Sequence, residues 1–415
     1  METVAPIPEI VQEIKEAGGE AYTFCYQCGK CDVVCPWNRV RPFSIRKIMW
    51  QAALGLPEIE LDEIWRCTTC GRCPSICPRG VDQIDVSVAI RRIATAYDVF
   101  PASVAAYTTA AASLSGDGNP LGGERQRRDA WAGGLSLKPY AEGMELLFFV
   151  GCYYSYDPRL RKVAVATAEI LKKAGVDFGI LGSRESCCGE SIRKTGNEDV
   201  FKSLARENIK AFIEHGVKKI LVASPHCYHT FKNEYPEFMV HFEVVHVSQF
   251  LAELVEEGRL ELPAGGNGVP PLRVTYHDPC YLGRHNGIYD PPRDLLKKLP
   301  GLELVEMPDS RQDSLCCGGG GGRIWAETPK EERFSDLRVA QAMEAGAEVL
   351  ATSCPYCISN FEESRLSLGE DDFLEVRDIT ELIQEALQEN GEGDREDGAA
   401  PRGDGAHPPA GESSP

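Results

Sequence analysis

The chain has 415 residues, enough for about three domains, and its 43% hydrophobic and 26% charged content is that of a globular protein with no apolar run near the ~20 residues of a membrane helix. A net charge of −19 is the wrong sign for phosphate contacts and excludes nucleic acid as a partner. The 17 cysteines are too dilute for a small disulfide scaffold, too many for an ordinary reduced enzyme, and odd in number, so they cannot all pair internally.

Residues 1–20 carry five acids and one Lys15 around no apolar segment, so neither a signal nor a transit peptide is expected, and the expected compartment is a reducing cytoplasm. The stretch 25–100 holds eight cysteines and is slightly basic through Arg39, Arg41, Arg46 and Lys47. Such charges are either a solvated helix face or a docking face for an acidic redox protein. The eight cysteines fall in two runs, Cys25-x2-Cys28-x2-Cys31-x3-Cys35-Pro36 and Cys67-x2-Cys70-x2-Cys73-x3-Cys77-Pro78. This spacing wraps three thiolates around one 4Fe–4S cubane while the fourth reaches the other cluster. The expected sets are Cys25, Cys28, Cys31 with Cys77, and Cys67, Cys70, Cys73 with Cys35. An amphipathic stretch, Phe43 to Leu54, lies between the runs and makes the module helical.

An Ala-, Gly- and Ser-rich connector follows at 101–144, and beyond it the cysteines reveal a repeat. Cys152, Cys187-Cys188 and Cys227 recur as Cys280, Cys316-Cys317 and Cys357, at offsets of 128, 129 and 130 residues. Each copy has an apolar run before its first cysteine, then Asp-Pro and a helix, a strand leading to Cys-Cys-Gly, a helix ending at Gly216 or Gly346, and a second apolar run. Thr328-Pro329-Lys330-Glu331 reads as a capping box opening the later helix of copy two. The predicted fold is α+β overall: a helical ferredoxin module (1–100), the connector, and two repeated α/β cysteine-rich domains with parallel sheets (145–262 and 263–388). The Gly- and acid-rich end, 389–415, is expected to be disordered.

Copy two reads Cys280-x35-Cys316-Cys317-Gly318-x35-Cys354-Pro355-Tyr356-Cys357, a five-thiol metal or cluster site in which the run Gly318 to Gly322 permits positive φ and close backbone approach. Copy one retains four thiols, Cys152, Cys187, Cys188 and Cys227, because Ser224 replaces the fifth. They could hold an ordinary cluster, a noncubane cluster with a serine or histidine ligand, or remain as a packed remnant. His277, Asp278, Arg284 and His285 lie near the second site in sequence and His226 and His229 near the first, as proton donors or as structural groups. Arg284 or Arg323 could bind an acidic substrate or offset cluster charge. No Gly-x-Gly-x-x-Gly fingerprint follows a strand, so flavin or nicotinamide chemistry falls to another polypeptide.

These cysteine patterns resemble the Cys-Cys-Gly domains of the heterodisulfide reductase superfamily, and the layout over residues 22–388 resembles the D-type subunits. The resemblance implies a noncubane 4Fe–4S cluster on Cys280, Cys316, Cys317, Cys354 and Cys357 that cleaves a disulfide or thiol-type substrate. It implies single-electron supply from the two cubanes, and in B-type relatives a disulfide clamped between two clusters. The expected function is an iron–sulfur oxidoreductase of this kind. The alternative is an electron-transfer subunit between a flavoprotein, such as an electron-transferring flavoprotein or a 2-hydroxyacid dehydrogenase, and a membrane quinone reductase. Either places the chain in the cytoplasm without membrane insertion, or at the inner face of the membrane through a partner subunit.

Overall fold

The computed structural model describes residues 5–59, 61–263, 270–370 and 373–396, with side chains described through 388. In the N-terminal module the helix Ile45–Leu54 buries Ile45, Ile48, Met49 and Ala52 on one face. Ser44 starts it by accepting from Lys47 N–H at 3.0 Å, and Gly55 at φ 65° stops it. The longer helix Gln83–Ala96 is capped by Asp82, whose carboxylate accepts from Ile84 N–H at 2.8 Å. Each cysteine run turns at a left-handed glycine, Gly29 or Gly71, and enters a short helix.

Two four-stranded parallel sheets follow. Strands β1 (Leu146–Phe149), β2 (Phe178–Gly179), β3 (Lys219–Val222) and β4 (Glu243–His246) are ordered β2-β1-β3-β4. Strands β5 (Leu272–Tyr276), β6 (Leu302–Leu304), β7 (Val349–Thr352) and β8 (Glu375–Asp378) repeat this as β6-β5-β7-β8. Of the two inner strands of each sheet, β1 and β7 are buried throughout and β3 and β5 over their last three residues, as a sheet covered on both faces requires. Helices Glu198–Glu214 and Phe334–Glu344 end at Gly216 and Gly346, both at positive φ.

The repeats exchange helices across their junction. The helix Ile379–Glu396, which follows β8, lies on Arg161–Lys173 of the first repeat, where Lys173 Nζ donates to the Leu387 carbonyl at 2.8 Å. The helix Val247–Glu256, which follows β4, lies on Asp290–Lys298 of the second, and one hydrophobic core runs through both sheets. All three modules meet at Arg91, which is fully buried. Its guanidinium donates to the carbonyls of Ile64, Cys67, Lys194 and Gly321 at 2.8–3.0 Å, satisfying a buried charge with four backbone acceptors.

Two sequence expectations are corrected, while the connector carries a helix over Ala106–Asp117. The Thr328 capping box does not form: the helix begins at Phe334, and the Thr328 hydroxyl accepts from Arg323 at 2.7 Å instead. The last helix continues to Glu396, past Glu389 where disorder is expected to begin; residues 397–415 lie outside the described residues.

Candidate functional site

Of the ferredoxin-type cysteines, Cys28 is exposed, Cys25 and Cys77 are half-buried, and the rest are buried. Cys35, Cys67, Cys70 and Cys73 line one cavity with Trp37, Ile45 and Ile84, so the fourth thiol of the first run sits among the first three of the second. In return, Cys77 and Cys28 both act on Tyr26, and Cys25 acts on Cys31. Burial pushes the Cys31 thiol up to about 12 and the Cys73 thiol well above its ordinary value. Thiols so placed ionise at neutral pH only when a metal takes the proton's place. Among the described residues no three His, Cys, Asp or Glu side chains converge at the spacing of a single ion.

In the second repeat Cys280 follows β5, Cys316 and Cys317 stand on a turn, and Cys354 and Cys357 open the helix Pro355–Leu368 after β7. All five are buried. They are close enough to set one another's ionisation: Cys280 with Cys316, Cys316 with Cys317, and Cys357 with both Cys317 and Cys354. Donation from Cys316 and Cys357 lowers Cys317 to about 5; burial opposes ionisation of Cys354, but donation from Cys357 and His226 overcomes it and brings that thiol to about 5 too. The coupling crosses the domain border. Cys70 of the ferredoxin module acts on Cys316 as well, and the Cys316 sulfur lies 3.6 Å from Thr68 Oγ1.

The glycine run makes this approach possible. A Cβ at Gly320 would meet the Thr68 carbonyl at 2.3 Å and one at Gly321 the Cys67 carbonyl at 2.4 Å. Arg284 braces the contact, donating from Nε to the Cys70 carbonyl at 2.7 Å and from Nη1 to the Ser314 carbonyl at 2.6 Å.

The first repeat presents Cys152, Cys187, Cys188 and Cys227 in the same relative places, and Gly189 N–H donates to the Cys187 sulfur at 3.4 Å as Gly318 does to Cys316 at 3.3 Å. Ser224 donates to Cys227 in place of a fifth thiol. Two groups here were missed in the sequence. Arg128, from the connector, forms a fully buried ion pair with Glu185 at 2.9 Å and reaches the Cys152 sulfur at 3.6 Å. Burial raises Cys152 well above its ordinary value. Cys188 accepts from Cys187, which favours its thiolate, but its own donation to Cys227 and its burial prevail and raise it as well, so neither matches the low Cys317 and Cys354.

Between the two sites aromatic rings fill the seam. Tyr153, Tyr356, His226 and Tyr281 follow one another with ring centroids 4.7, 4.3 and 4.3 Å apart. His226 occupies the place in its repeat that Tyr356 holds in the other, and Tyr153 that of Tyr281, so the repeat offset aligns these rings as well as the cysteines. His226 therefore faces Cys354 of the second site as well as its own, and Glu190 at 2.9 Å holds it protonated, raised to about 10 against the desolvation of burial. Burial depresses His285 to about 3 and His229 to about 4, and His277 Nδ1 accepts from Arg338 at 3.2 Å. Asp278 is taken by Arg293 at 2.6 Å. The basic stretch is likewise internally matched: Arg39 pairs with Asp309, Arg41 with Glu332, Arg46 with Asp32 and Lys47 with Glu58. No described helix is long and apolar enough to cross a membrane.

Family models match the chain as a 4Fe-4S dicluster domain over residues 21–81 and as a cysteine-rich domain twice, over 146–232 and 274–362. The chain is 38% identical, over 79% of its length, to the probable iron-sulfur-binding oxidoreductase FadF of Bacillus subtilis, and 34% identical, over 79%, to the EtfAB:quinone oxidoreductase of Syntrophomonas wolfei. It spans about half the length of these two curated relatives, 47% of each. Against the D-type subunit of the dihydromethanophenazine:CoB–CoM heterodisulfide reductase of Methanosarcina barkeri it is 31% identical, over 88% of this chain and 93% of that one.

Proposed function

The chain belongs to the family of iron–sulfur oxidoreductases that includes the D-type subunits of heterodisulfide reductase, and from that premise we propose that it passes single electrons from a ferredoxin-type pair to a noncubane centre that reduces a disulfide-type substrate. The observation that carries this reading is the close approach of the ferredoxin loop to the second-repeat thiols, where the Cys316 sulfur lies 3.6 Å from Thr68 Oγ1 and Cys70 is within electrostatic reach of it. Cys25, Cys28, Cys31 and Cys77 would hold the first cubane, Cys67, Cys70, Cys73 and Cys35 the second, and Cys280, Cys316, Cys317, Cys354 and Cys357 the noncubane cluster. When bound, these clusters supply one-electron storage and an iron to which a sulfur can attach. Each disulfide takes two electrons and two protons and leaves as two thiols.

The protein's own groups set the direction of traffic. The first set lies at the surface beside exposed Phe24, Tyr26 and Val33, where a redox protein can dock. The second set is buried, and the glycine run and Arg284 fix its distance from Cys316. The four thiols of the first repeat are a candidate fourth cluster, and the compartment is the cytoplasm, with any membrane contact made through a partner subunit. In the anaerobically purified holoprotein a small thiol or persulfide perturbs the EPR spectrum of the oxidised second-repeat centre, and Cys316→Ala removes that response while the ferredoxin signals persist. Silence toward every thiol tested refutes the reductase reading. Iron then separates the cluster counts: about 12 per chain for three clusters and about 16 for four.

A second reading is an electron-transfer subunit between a flavoprotein and a membrane quinone reductase. It draws on the name of the Syntrophomonas relative and on the seam, where four rings occupy the space in which a two-cluster clamp would seat a disulfide. Silence toward thiols combined with rapid reduction by a flavoprotein favours this reading.

A further inference from the structure

With the seam filled, the described residues leave another way to the five-thiol site. A cavity of about 940 Å³, within the range of small-molecule sites, opens between the ferredoxin module and the second repeat and reaches Cys317 and Gly318. Its charged lining is balanced in number, with four cations and four carboxylates, but not in place. Glu332 binds both Arg41 and Arg66, at 3.0 and 2.9 Å, and Glu363 binds Arg333 at 2.8 Å. Asp62 lies 3.8 Å from Arg66 and accepts from Ser103, while Glu327 lies at the cavity wall.

Arg323 is left over. It is only 7% exposed, yet among the described residues no carboxylate comes within ion-pair distance. Its Nη2 donates to the Glu327 carbonyl at 3.1 Å and to Thr328 at 2.7 Å, and its Nε is buried with no partner. Arg66 stands on the same indole: the two guanidinium carbons lie 5.8 and 5.3 Å from the Trp37 ring centroid, and the Arg66 Nε is also unpartnered. The buried Tyr107 hydroxyl lies beside Arg323 and Arg91 and is a neutral group that brings neither of them a counter-charge. Glu332 already neutralises Arg66, whereas Arg323 beside it keeps a buried, unused donor and no paired carboxylate, so an added anion is drawn to Arg323. Burial and the neighbouring Arg66 and Arg91 weaken the hold of Arg323 on its own proton, as expected for a guanidinium lacking its counterion.

We propose that this cavity is the substrate entrance and that Arg323, with Arg66, seats an anionic group of the thiol or disulfide, a carboxylate or a phosphate, while its sulfur reaches the Cys317 end. The proposal rests on the reductase reading and adds the chemical class of the substrate. Guanidinium binds either oxyanion through paired N–H donors, and Trp37 gives the attached chain an apolar wall.

The test titrates the anaerobic holoprotein with 3-mercaptopropionate, 2-mercaptoethyl phosphate and neutral 2-mercaptoethanol, reading the EPR response of the oxidised five-thiol centre. At least one anionic thiol half-saturates at a concentration about tenfold lower than the neutral one, and whichever is tighter identifies the preferred oxyanion. In Arg323→Gln that advantage disappears while the response to 2-mercaptoethanol is unchanged, and Arg323→Lys restores part of it. Iron content and ferredoxin signals equal to wild type show that the variants are folded. Equal half-saturation by charged and neutral thiols in wild type overturns the anion seat alone. No response to any thiol overturns the seat and the reductase reading together.

Discussion

The two cysteine-rich repeats carry the same vicinal-cysteine motif on sheets of the same strand order, and they differ most in what lies against that motif. In the second repeat the cover is the ferredoxin loop: Thr68 touches Cys316, Cys70 acts on it, and the glycine run lets the backbones close in. In the first the cover is the connector: Gly118 accepts from Cys187 N–H at 2.7 Å, and Arg128 with Glu185 seals Cys152. One motif lies against the ferredoxin-type module and the other is covered by a buried ion pair. A duplicated motif thus keeps its geometry while its neighbours decide its role. The loss of the fifth thiol at Ser224 falls in the copy covered by the ion pair.

The sharpest way to break this contrast is to remove one vicinal cysteine from each copy. Cys317→Ala abolishes disulfide reduction and the thiol response, whereas Cys188→Ala retains more than half of the activity with a reduced dye as donor; equal losses would show that both sites are catalytic. Next in size is the seal of the first site. Arg128→Met leaves Glu185 buried and unpaired and costs about 3–5 kcal/mol, read as a lowered denaturation midpoint, while Arg128→Met with Glu185→Leu regains most of it. A single variant that melts like wild type would show the pair to be dispensable.

Smaller effects test the close approach. Gly321→Ala places a Cβ 2.4 Å from the Cys67 carbonyl at φ 63°, which destabilises by roughly 1–3 kcal/mol and slows reduction of the second-repeat centre. Gly189→Ala, at φ 87° in the first repeat, carries a similar stability cost with no change in that rate, which stopped-flow reduction measures.

The smallest expected differences are in pH dependence, at the residues that end the last strand of each repeat and cap the next helix. Burial depresses His246 to about 4, so its neutral form is favoured and stability falls as pH drops from about 6.5 toward 4. Burial raises Asp378 to about 7, so its protonated form is favoured and stability falls as pH rises from about 4 toward 7. His246→Asn flattens the first slope and Asp378→Asn the second, in melting temperatures taken between pH 4 and 8; unchanged slopes would rule out titration at these caps.

Much of this was legible in the residues. The two cysteine runs predict crossed ligand sets, and the structure places Cys35 on one cavity with Cys67, Cys70 and Cys73. The repeat read from cysteine spacing is the repeat of the two sheets. The unread parts share a cause: they join residues far apart in sequence. Arg128 lay in a stretch with no period, and nothing local couples it to Glu185. The ring ladder was within reach, because the same offset that aligns the cysteines aligns His226 with Tyr356. Thr328 failed as a cap because a buried guanidinium competes for its hydroxyl more strongly than a helix end does.

Sequence alone determined the chemistry, since thiolate spacing is a local property and Cys-x2-Cys-x2-Cys can wrap a cluster in any fold that tolerates the turn. Tertiary structure decided the wiring and the access. Which thiol group lies against the ferredoxin-type module, which is sealed by an ion pair, and which cavity leads to Cys317 all depend on surfaces that meet only after three modules have packed around Arg91. Burial then fixes the outcome, because a charge or thiol withdrawn from water takes its properties from the few groups left beside it.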